Sequence, residues 1–352
     1  MKQIFIPAPN ASGVHIKLNR LFSFESSGYR IFIVIGARGY GKTYSTKRTC
    51  AKDKIYQNED MAIVRDSESA CEEICKDNGI KFWGDVFGKD KGLQKHSYKI
   101  ENSTILIDNK IAGNVIPLST YHKFKGNYYN IRNFLFDEFI EEKQQVYRGN
   151  RARQFANTVE TICRTNPRAR IILTGNALDL GNDILEILGL NIKNEQFGYY
   201  LIPEKKVVCY YAPNSPEFNE AKNESLSGLI TKGTFLDDNM NNNSFDNENK
   251  LIFEKRKPCS LFGIYYSLEN VPVRIYQAKD DSEFYVCKDR NEQSYSYMRF
   301  VFDIGQVNNN RKFADKKVKD YLHKQFVNNK MKFESNFIYG VFLSILNGTK
   351  KK

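Results

Sequence analysis

One stretch of this 352-residue chain limits its fold more than any other: Arg30 to Thr49, R-I-F-I-V-I-G-A-R-G-Y-G-K-T-Y-S-T-K-R-T. Ile31 to Ile35 is a continuous apolar run rich in β-branched residues, the composition of a strand buried on both faces. Gly36, Gly39 and Gly41 then supply a loop that can take unusual backbone angles and approach a ligand closely. Gly36-x-x-x-x-Gly41-Lys42-Thr43 completes the P-loop pattern, with a strand pattern before it and a helix pattern after it. Such a loop captures anions, because successive N–H groups and a helix N-terminus face the phosphates. The predicted nucleotide site therefore comprises Gly36, Ala37, Arg38, Gly39, Tyr40, Gly41, Lys42, Thr43 and Tyr44. Lys42 is expected on the β- and γ-phosphates of ATP and the Thr43 hydroxyl on Mg²⁺.

About one hundred residues later comes Asn133-Phe-Leu-Phe-Asp-Glu138. Three apolar positions ending in two acids describe a buried strand whose C-terminal edge presents carboxylates, where open α/β sheets place their ligands. Asp137 suits the Mg²⁺ shell, and Glu138 suits orienting or deprotonating an attacking water. Arg170-Ile-Ile-Leu-Thr174 is a further buried strand leading into Gly175-Asn176. Asn176 is either an ordinary turn asparagine or a contact to the γ-phosphate or the lytic water.

With Met61–Arg65 and Val115–Ser119, these runs predict a largely parallel sheet covered on both faces by helices. One extra strand is expected between the P-loop strand and the Leu135–Asp137 strand. Tyr44–Tyr56 and Arg151–Thr165 read as helices, and Asp66 or Ser67 reads as the cap of another ending at Cys75. Ser103–Asp108 and Ile111–Ser119 flank Asn109-Lys110 as a hairpin or two adjoining strands. Residues 1–197 are read as an ATPase domain and 198–235 as a linker region, with a short strand over Lys206–Tyr211 and a helix begun by Ser215-Pro216. Asp237–Asn249 is asparagine-rich and reads as a mobile loop. Residues 236–352 read as a smaller α+β domain, with strands at Cys259–Ser267, Val273–Ala278, Glu283–Lys288 and Met298–Ile304 and a helix over Lys312–Val327.

A formal charge of +12 points to a polyanionic partner, nucleic acid before membrane. Seven cysteines without C-x-x-C pairs fit a reducing cytosol and argue against a disulfide framework or a zinc site. Ile4–Ile6 is interrupted by Pro7 and Pro9, unlike a signal peptide, and no apolar run approaches membrane-spanning length.

The segments Gly-Ala-Arg-Gly-Tyr-Gly-Lys-Thr, Phe-Leu-Phe-Asp-Glu-Phe and Leu-Thr-Gly-Asn, followed by a basic β-rich region, resemble the genome-packaging (encapsidation) ATPases of small short-tailed phages. Those are relatives of the large terminases within the additional-strand branch of P-loop enzymes. The resemblance implies a homo-oligomeric, pentameric ring at the portal vertex of a preformed capsid, in the host cytoplasm. The ring would hydrolyse ATP to drive double-stranded DNA inward, with a structural packaging RNA as a possible further partner and no membrane. It maps Lys42 and Thr43 onto Walker A, Asp137 and Glu138 onto Walker B, and Asn176 onto the motif that follows.

Ring motors of this kind place an arginine of one subunit on the γ-phosphate of its neighbour. Arg148 is the first candidate, with Arg151, Arg153 and Arg164 competing, and Lys123 or Lys125 in Tyr121–Gly126 as the alternative. In large terminases the C-terminal domain is an RNase H-like nuclease that needs carboxylates on its strands. Here Tyr265 and Tyr266 stand on the first strand and Asp303 has no obvious partner, so a vestigial nuclease that binds nucleic acid or portal is expected. The alternatives are a terminase with an active nuclease, and an assembly protein that uses ATP only as a switch.

Overall fold

The computed structural model describes residues 2–124, 131–140, 151–177, 182–193, 196–232, 253, 255–267, 271–289, 298–302 and 304–347. Its strands, in chain order, are β1 (Ile4–Pro7), β2 (Ile31–Gly36), β3 (Asp60–Arg65), β4 (Tyr98–Glu101), β5 (Thr104–Ile107), β6 (Lys110–Pro117), β7 (Ile131–Asp137) and β8 (Arg170–Asn176). They continue as β9 (Gly198–Ile202), β10 (Val207–Tyr211), β11 (Cys259–Tyr266), β12 (Pro272–Ala278), β13 (Phe284–Lys288), β14 (Arg299–Val301), β15 (Arg311–Phe313) and β16 (Met331–Phe333). Two compact units result. The first holds β1 to β10 and the helices through Leu226–Thr231; the second holds the helix Asp183–Ile187 and everything from β11 onward.

The first unit is built on a ten-stranded sheet in the order β1-β9-β10-β2-β8-β7-β3-β6-β5-β4. Its centre, β10-β2-β8-β7-β3-β6, is parallel throughout. Phe32 to Ile35 of β2 and Phe134 to Phe136 of β7 have no solvent exposure, as expected for strands covered on both faces. The expected extra strand is β8, which pairs with β2 on one side and β7 on the other. This puts the ends of the P-loop strand, the Asn176 strand and the Asp137 strand side by side at one edge.

The hairpin at Asn109-Lys110 forms between β5 and β6. Asp108 and Asn109 turn it with φ of 49° and 58°, the left-handed region that suits Asn and Asp. Ser67 caps the helix Glu68–Cys75 by accepting from the Ala70 N–H at 3.2 Å. The helix Ile80–Lys89, which the pattern reading passed over, buries Phe82, Trp83, Val86 and Phe87 in the core beside β3 and β6.

Three expectations need correction. Residues 198–235 are not simply a linker, because Gly198–Ile202 and Val207–Tyr211 are fully buried strands of the main sheet. Tyr199 and Tyr210 stack with centroids 4.5 Å apart, and β10 pairs in parallel with the P-loop strand far earlier in the chain. Lys206–Tyr211 is legible as a short strand, but its place in the main sheet depends on that distant partner. Lys312–Val327 is not one helix: Arg311–Phe313 is a strand paired with β14, and the helix starts at Lys316 behind an Asp315 cap. The predicted Val115–Ser119 strand lies earlier, over Lys110–Pro117, and a 3₁₀ segment follows at Leu118–Phe124. The asparagine-rich segment Asp237–Asn249 lies outside the described residues.

The second unit carries a six-stranded sheet in the order β15-β14-β11-β12-β13-β16. β11, β12 and β13 form an antiparallel meander, and β14 and β15 add in parallel on the far side of β11. That is the strand order expected of an RNase H-like sheet, extended by β16 alongside β13. The helices Lys316–Val327 and Asn336–Asn347 supply Leu322, Ile338, Val341, Phe342 and Ile345 to the core on the face that carries Tyr265. No helix among the described residues is long and apolar enough to cross a membrane.

Gly113 marks the tightest strand approach. It sits at φ 146°, and an added Cβ would lie 1.7 Å from the Met61 carbonyl oxygen of β3. Gly113→Ala should therefore destabilise the first unit by about 3 kcal/mol or more, read as a lowered urea midpoint. A midpoint equal to wild type would show that β3 and β6 separate at no cost.

Candidate functional site

The P-loop geometry follows from its glycines. Gly39 and Gly41 adopt φ of 86° and 81°, a region unfavourable for other residues. Gly41 is the N-cap of the helix Lys42–Gln57 and brings no side chain to it, so the first-turn amides remain directed at the pocket. The pocket has a volume of about 270 Å³. Its walls include Arg38, Gly39 and Gly41 to Tyr44 from the loop, Asp137 and Glu138 from β7, Thr174 to Asn176 from β8, and Asp85 from the helix Ile80–Lys89.

Lys42 is buried, and its Nζ donates to the carbonyls of Gly36 at 3.0 Å and Ala37 at 2.7 Å and to Asn176 Oδ1 at 3.0 Å. Burial lowers its pKa to about 8, against the opposing pull of the Asp137 and Glu138 carboxylates. Gly36 and Ala37 thus enter the site through their carbonyls. Tyr40 differs from expectation: its ring is buried against Phe218 at 4.6 Å, so it anchors the loop from behind. The lead-in segment braces the same turn, since the Ile16 N–H donates to the Tyr40 carbonyl at 2.9 Å.

Asp137 is the most enclosed acid of the site, at 1% exposure. Its Oδ1 accepts from Thr43 Oγ1 at 2.8 Å and from Thr174 Oγ1, and its Oδ2 accepts from Arg65 Nη2 at 2.8 Å. A buried carboxylate paired with a threonine hydroxyl is an all-oxygen donor set that fits Mg²⁺, a cation normally held by one or two protein oxygens, phosphates and waters. Among the described residues no three His, Cys, Asp or Glu side chains cluster closely enough to hold a metal by themselves.

Glu138 follows at φ 59°, a strained value for a glutamate, with an exposed side chain paired to Arg65 Nη1. One guanidinium therefore spans both acids. That pairing engages one oxygen of the Glu138 carboxylate, Oε2. Arg65 and Thr174 were missed by the sequence reading. The signal was present, because both lie at the C-terminal ends of strands now adjacent to β7.

The remaining candidates separate. Lys123 Nζ pairs with Glu68 Oε1 at 2.7 Å on the surface and is not part of the pocket wall. Arg151 is buried, with Nε on Asp66 at 2.7 Å and Nη1 on the Phe139 carbonyl at 3.1 Å, so it braces the fold instead of projecting. Arg153 and Arg164 are exposed. Arg148, Lys125 and Asp303 lie outside the described residues.

In the second unit, Tyr265 stacks on Phe302 with centroids 5.7 Å apart, inside the core. Tyr266 accepts from Arg299 Nη1, and its ring lies 3.8 Å from the Arg311 guanidinium. Asp289 is buried between Arg274, at 2.8 Å, and Arg299, at 3.6 Å. The surroundings of Tyr266 on β11 thus carry cations, where two-metal catalysis would need carboxylates.

Nucleotide phosphates favour charged Lys42. Above pH 8 the lysine is increasingly neutral, and binding must take up a proton. Below pH 8 it is already charged. Affinity for ATP should therefore be flat from pH 6.5 to 7.5 and fall toward about tenfold per pH unit above pH 8. Fluorescence titration with an ATP analogue reads this directly, and an affinity independent of pH up to pH 9.5 would contradict it.

The profile of the podovirus DNA encapsidation protein (Gp16) family matches residues 17–347. The DNA packaging protein of Bacillus phage B103 is 29% identical over 232 residues, 65% of this chain and 68% of that protein. The DNA packaging protein of Bacillus phage phi29 is 28% identical over 239 residues, 66% and 68% of the two. Among solved structures, a chain of the bacteriophage phi-29 viral genome packaging motor assembly superposes with a TM-score of 0.69 at 21% identity, over 95% of this chain and all of that one. The N-terminal domain of the DNA packaging ATPase from bacteriophage phi29 does so with a TM-score of 0.50 at 26% identity, over 58% of this chain and all of that domain.

Proposed function

This chain belongs to the podovirus DNA encapsidation protein family and is a DNA packaging protein, and from that premise we propose that it is the ATP-hydrolysing motor subunit that drives double-stranded DNA through the portal into a preformed capsid. The observation that carries the reading is the convergence of Lys42, Thr43, Asp137 and Asn176 on one pocket at the ends of three adjacent parallel strands. In this reading the P-loop amides and Lys42 hold the β- and γ-phosphates, and Thr43 and Asp137 hold Mg²⁺. The cation supplies charge neutralisation and orients the phosphates. Glu138, once released by Arg65, accepts the proton of the attacking water. Asn176, which accepts a hydrogen bond from Lys42, would contact the γ-phosphate or the lytic water in this reading.

The subunits act in a homo-oligomeric ring, and the pentamer is the reading carried over from the family resemblance. Arg148 is the proposed cation supplied to the neighbour's site, which a guanidinium suits by its bidentate geometry. The burial of Arg151 against Asp66 and Phe139 counts against it as a projecting residue, and Lys123, Lys125, Arg153 and Arg164 stay as the alternatives to Arg148. Duplex DNA, and a packaging RNA if one is used, would be bound through backbone phosphates, as the charge of +12 supports. The second unit is read as a nuclease fold without a nuclease site, serving nucleic-acid or portal attachment. Residues Tyr265 and Tyr266 and the arginines around Tyr266 support that reading over an active terminase nuclease.

Steady-state hydrolysis with and without duplex DNA tests the proposal. Wild type should hydrolyse ATP faster with DNA, and Lys42→Ala should be inactive. Glu138→Gln should bind ATP yet lose about 10²–10⁴-fold in rate, since an amide cannot accept the proton. Normal turnover in Glu138→Gln would remove it from that role, and ATP binding without turnover in wild type would favour an ATP-switched assembly protein.

The trans arrangement has its own test. Arg148→Ala should bind ATP and lose about 10³-fold or more in rate. Mixed rings of Arg148→Ala with Lys42→Ala subunits should regain activity, because each restores what its neighbour lacks. Mixed rings that remain inactive would place Arg148 in cis or outside the mechanism.

A further inference from the structure

The pocket contains one acid that the mechanism above does not use. Asp85 lines the same cavity as Thr43 and Asp137, although it comes from the helix Ile80–Lys89 and not from a strand end. Its position is fixed by Lys47. Lys47 lies one turn beyond Thr43 on the P-loop helix and so points to the same side. It is 4% exposed, and its Nζ donates to Asp85 Oδ1 at 2.8 Å and to the Phe82 carbonyl. Two further cations of that helix, Arg48 and Lys52, hold Asp90 just past the end of the Ile80–Lys89 helix. The helix that carries Asp85 is thus tethered along the one that carries Thr43.

A carboxylate in a phosphate pocket repels its ligand unless a cation stands between them. One lysine serves Asp85, and a carboxylate has acceptor capacity for more than one donor. Asp85 has an intermediate exposure of 38%, so it is open to water as well as to the pocket. The side of the P-loop helix that Asp85 faces is the side of Thr43, the hydroxyl assigned to Mg²⁺. Magnesium keeps several of its waters when bound, and those waters are strong donors that need acceptors.

We propose that Asp85 is a positioning residue for the hydrated Mg²⁺ of the bound nucleotide, accepting hydrogen bonds from its water ligands while Thr43 and Asp137 hold the cation itself. This rests on the reading of the pocket as an Mg²⁺-nucleotide site. It explains why an acid of a separate helix is held in a phosphate cavity by a buried lysine. It also makes the Ile80–Lys89 helix part of the nucleotide site and not only of the core.

The test is the linkage between Mg²⁺ and nucleotide, measured by binding and not by turnover. A fluorescent non-hydrolysable ATP analogue is titrated in EDTA and at stepped Mg²⁺ concentrations. Asp85→Asn keeps an acceptor for Lys47, so the fold should hold, which thermal unfolding checks. In EDTA it should bind the analogue as tightly as wild type or more tightly, because a negative charge has gone. It should nevertheless need about fivefold or more Mg²⁺ for half of the Mg²⁺-dependent gain. Asp85→Glu should restore part of the loss. Lys47→Gln keeps an N–H donor to hold Asp85 in place while removing the competing cation, so it should not raise the Mg²⁺ requirement, whereas a purely structural ion pair predicts the same change from either side. An unaltered Mg²⁺ requirement in Asp85→Asn, or an equal increase in Lys47→Gln, overturns the proposal. If wild type fails to bind the analogue at any Mg²⁺ concentration, the nucleotide reading itself falls and takes this proposal with it. Binding by wild type with an unchanged Asp85→Asn leaves that reading standing and removes Asp85 alone.

Discussion

The buried carboxylate of Asp137 is the point on which the first unit turns. It accepts from Thr43 of the P-loop helix, Thr174 of β8 and Arg65 of β3, so one side chain joins the ends of three strands and a helix. Each donor satisfies part of a charge that burial would otherwise penalise heavily, and removing the partner of such a buried pair costs about 3–5 kcal/mol. The same oxygens are the natural ligands for a divalent cation. Structure and proposed chemistry therefore compete for one group. In the proposed chemistry a cation at Asp137 would redistribute Thr43 and Arg65, and the pairing of Arg65 with Glu138 would carry that change to the second acid.

The opposite end of the sheet is fixed by a second polar network. Arg170, at the start of β8, donates to Asn133 of β7 at 2.7 Å, to Glu25 of the lead-in at 2.9 Å and to Asp53 near the end of the P-loop helix. Asn133 returns a bond to Asp53 at 2.9 Å. β7 and β8 are thus clamped near their starts to the last turns of the P-loop helix, and the opposite ends of these elements carry the groups proposed to move. Rigid strands with polar groups clustered at one edge are a suitable platform for a site that must reset each cycle.

In the proposed reading the second unit keeps a fold without its usual chemistry. Its strand order is the one expected of an RNase H-like sheet, whose catalysis would need acids on its strands. Tyr265 faces a helix-covered core, and Tyr266 is held among Arg299 and Arg311. Cations and aromatic rings suit a phosphate backbone better than a pair of divalent metals. A fold specifies strand order through its apolar pattern, and the chemistry resides in a few side chains that can change without disturbing it.

The sequence by itself determined the P-loop, the Asp137–Glu138 strand end and the parallel α/β class. These signals are local: glycines needed for left-handed backbone, and unbroken β-branched runs that fit only a doubly covered strand. The cap at Asp66 or Ser67 and the hairpin turn, expected at Asn109-Lys110 and found one residue earlier, were legible for the same reason, since a cap and a turn depend on neighbours in the chain. Tertiary structure alone decided the rest. That β9 and β10 join the main sheet depends on pairing across a long sequence separation. That Tyr40 turns into the core, Arg151 braces Asp66 and Arg65 spans two acids depends on which groups lie nearby in space. Asp85 reaches the pocket only because a separate helix is tethered beside Thr43. A side chain's type is written in the sequence, but its partner is chosen by packing, and for charged groups the partner sets the role.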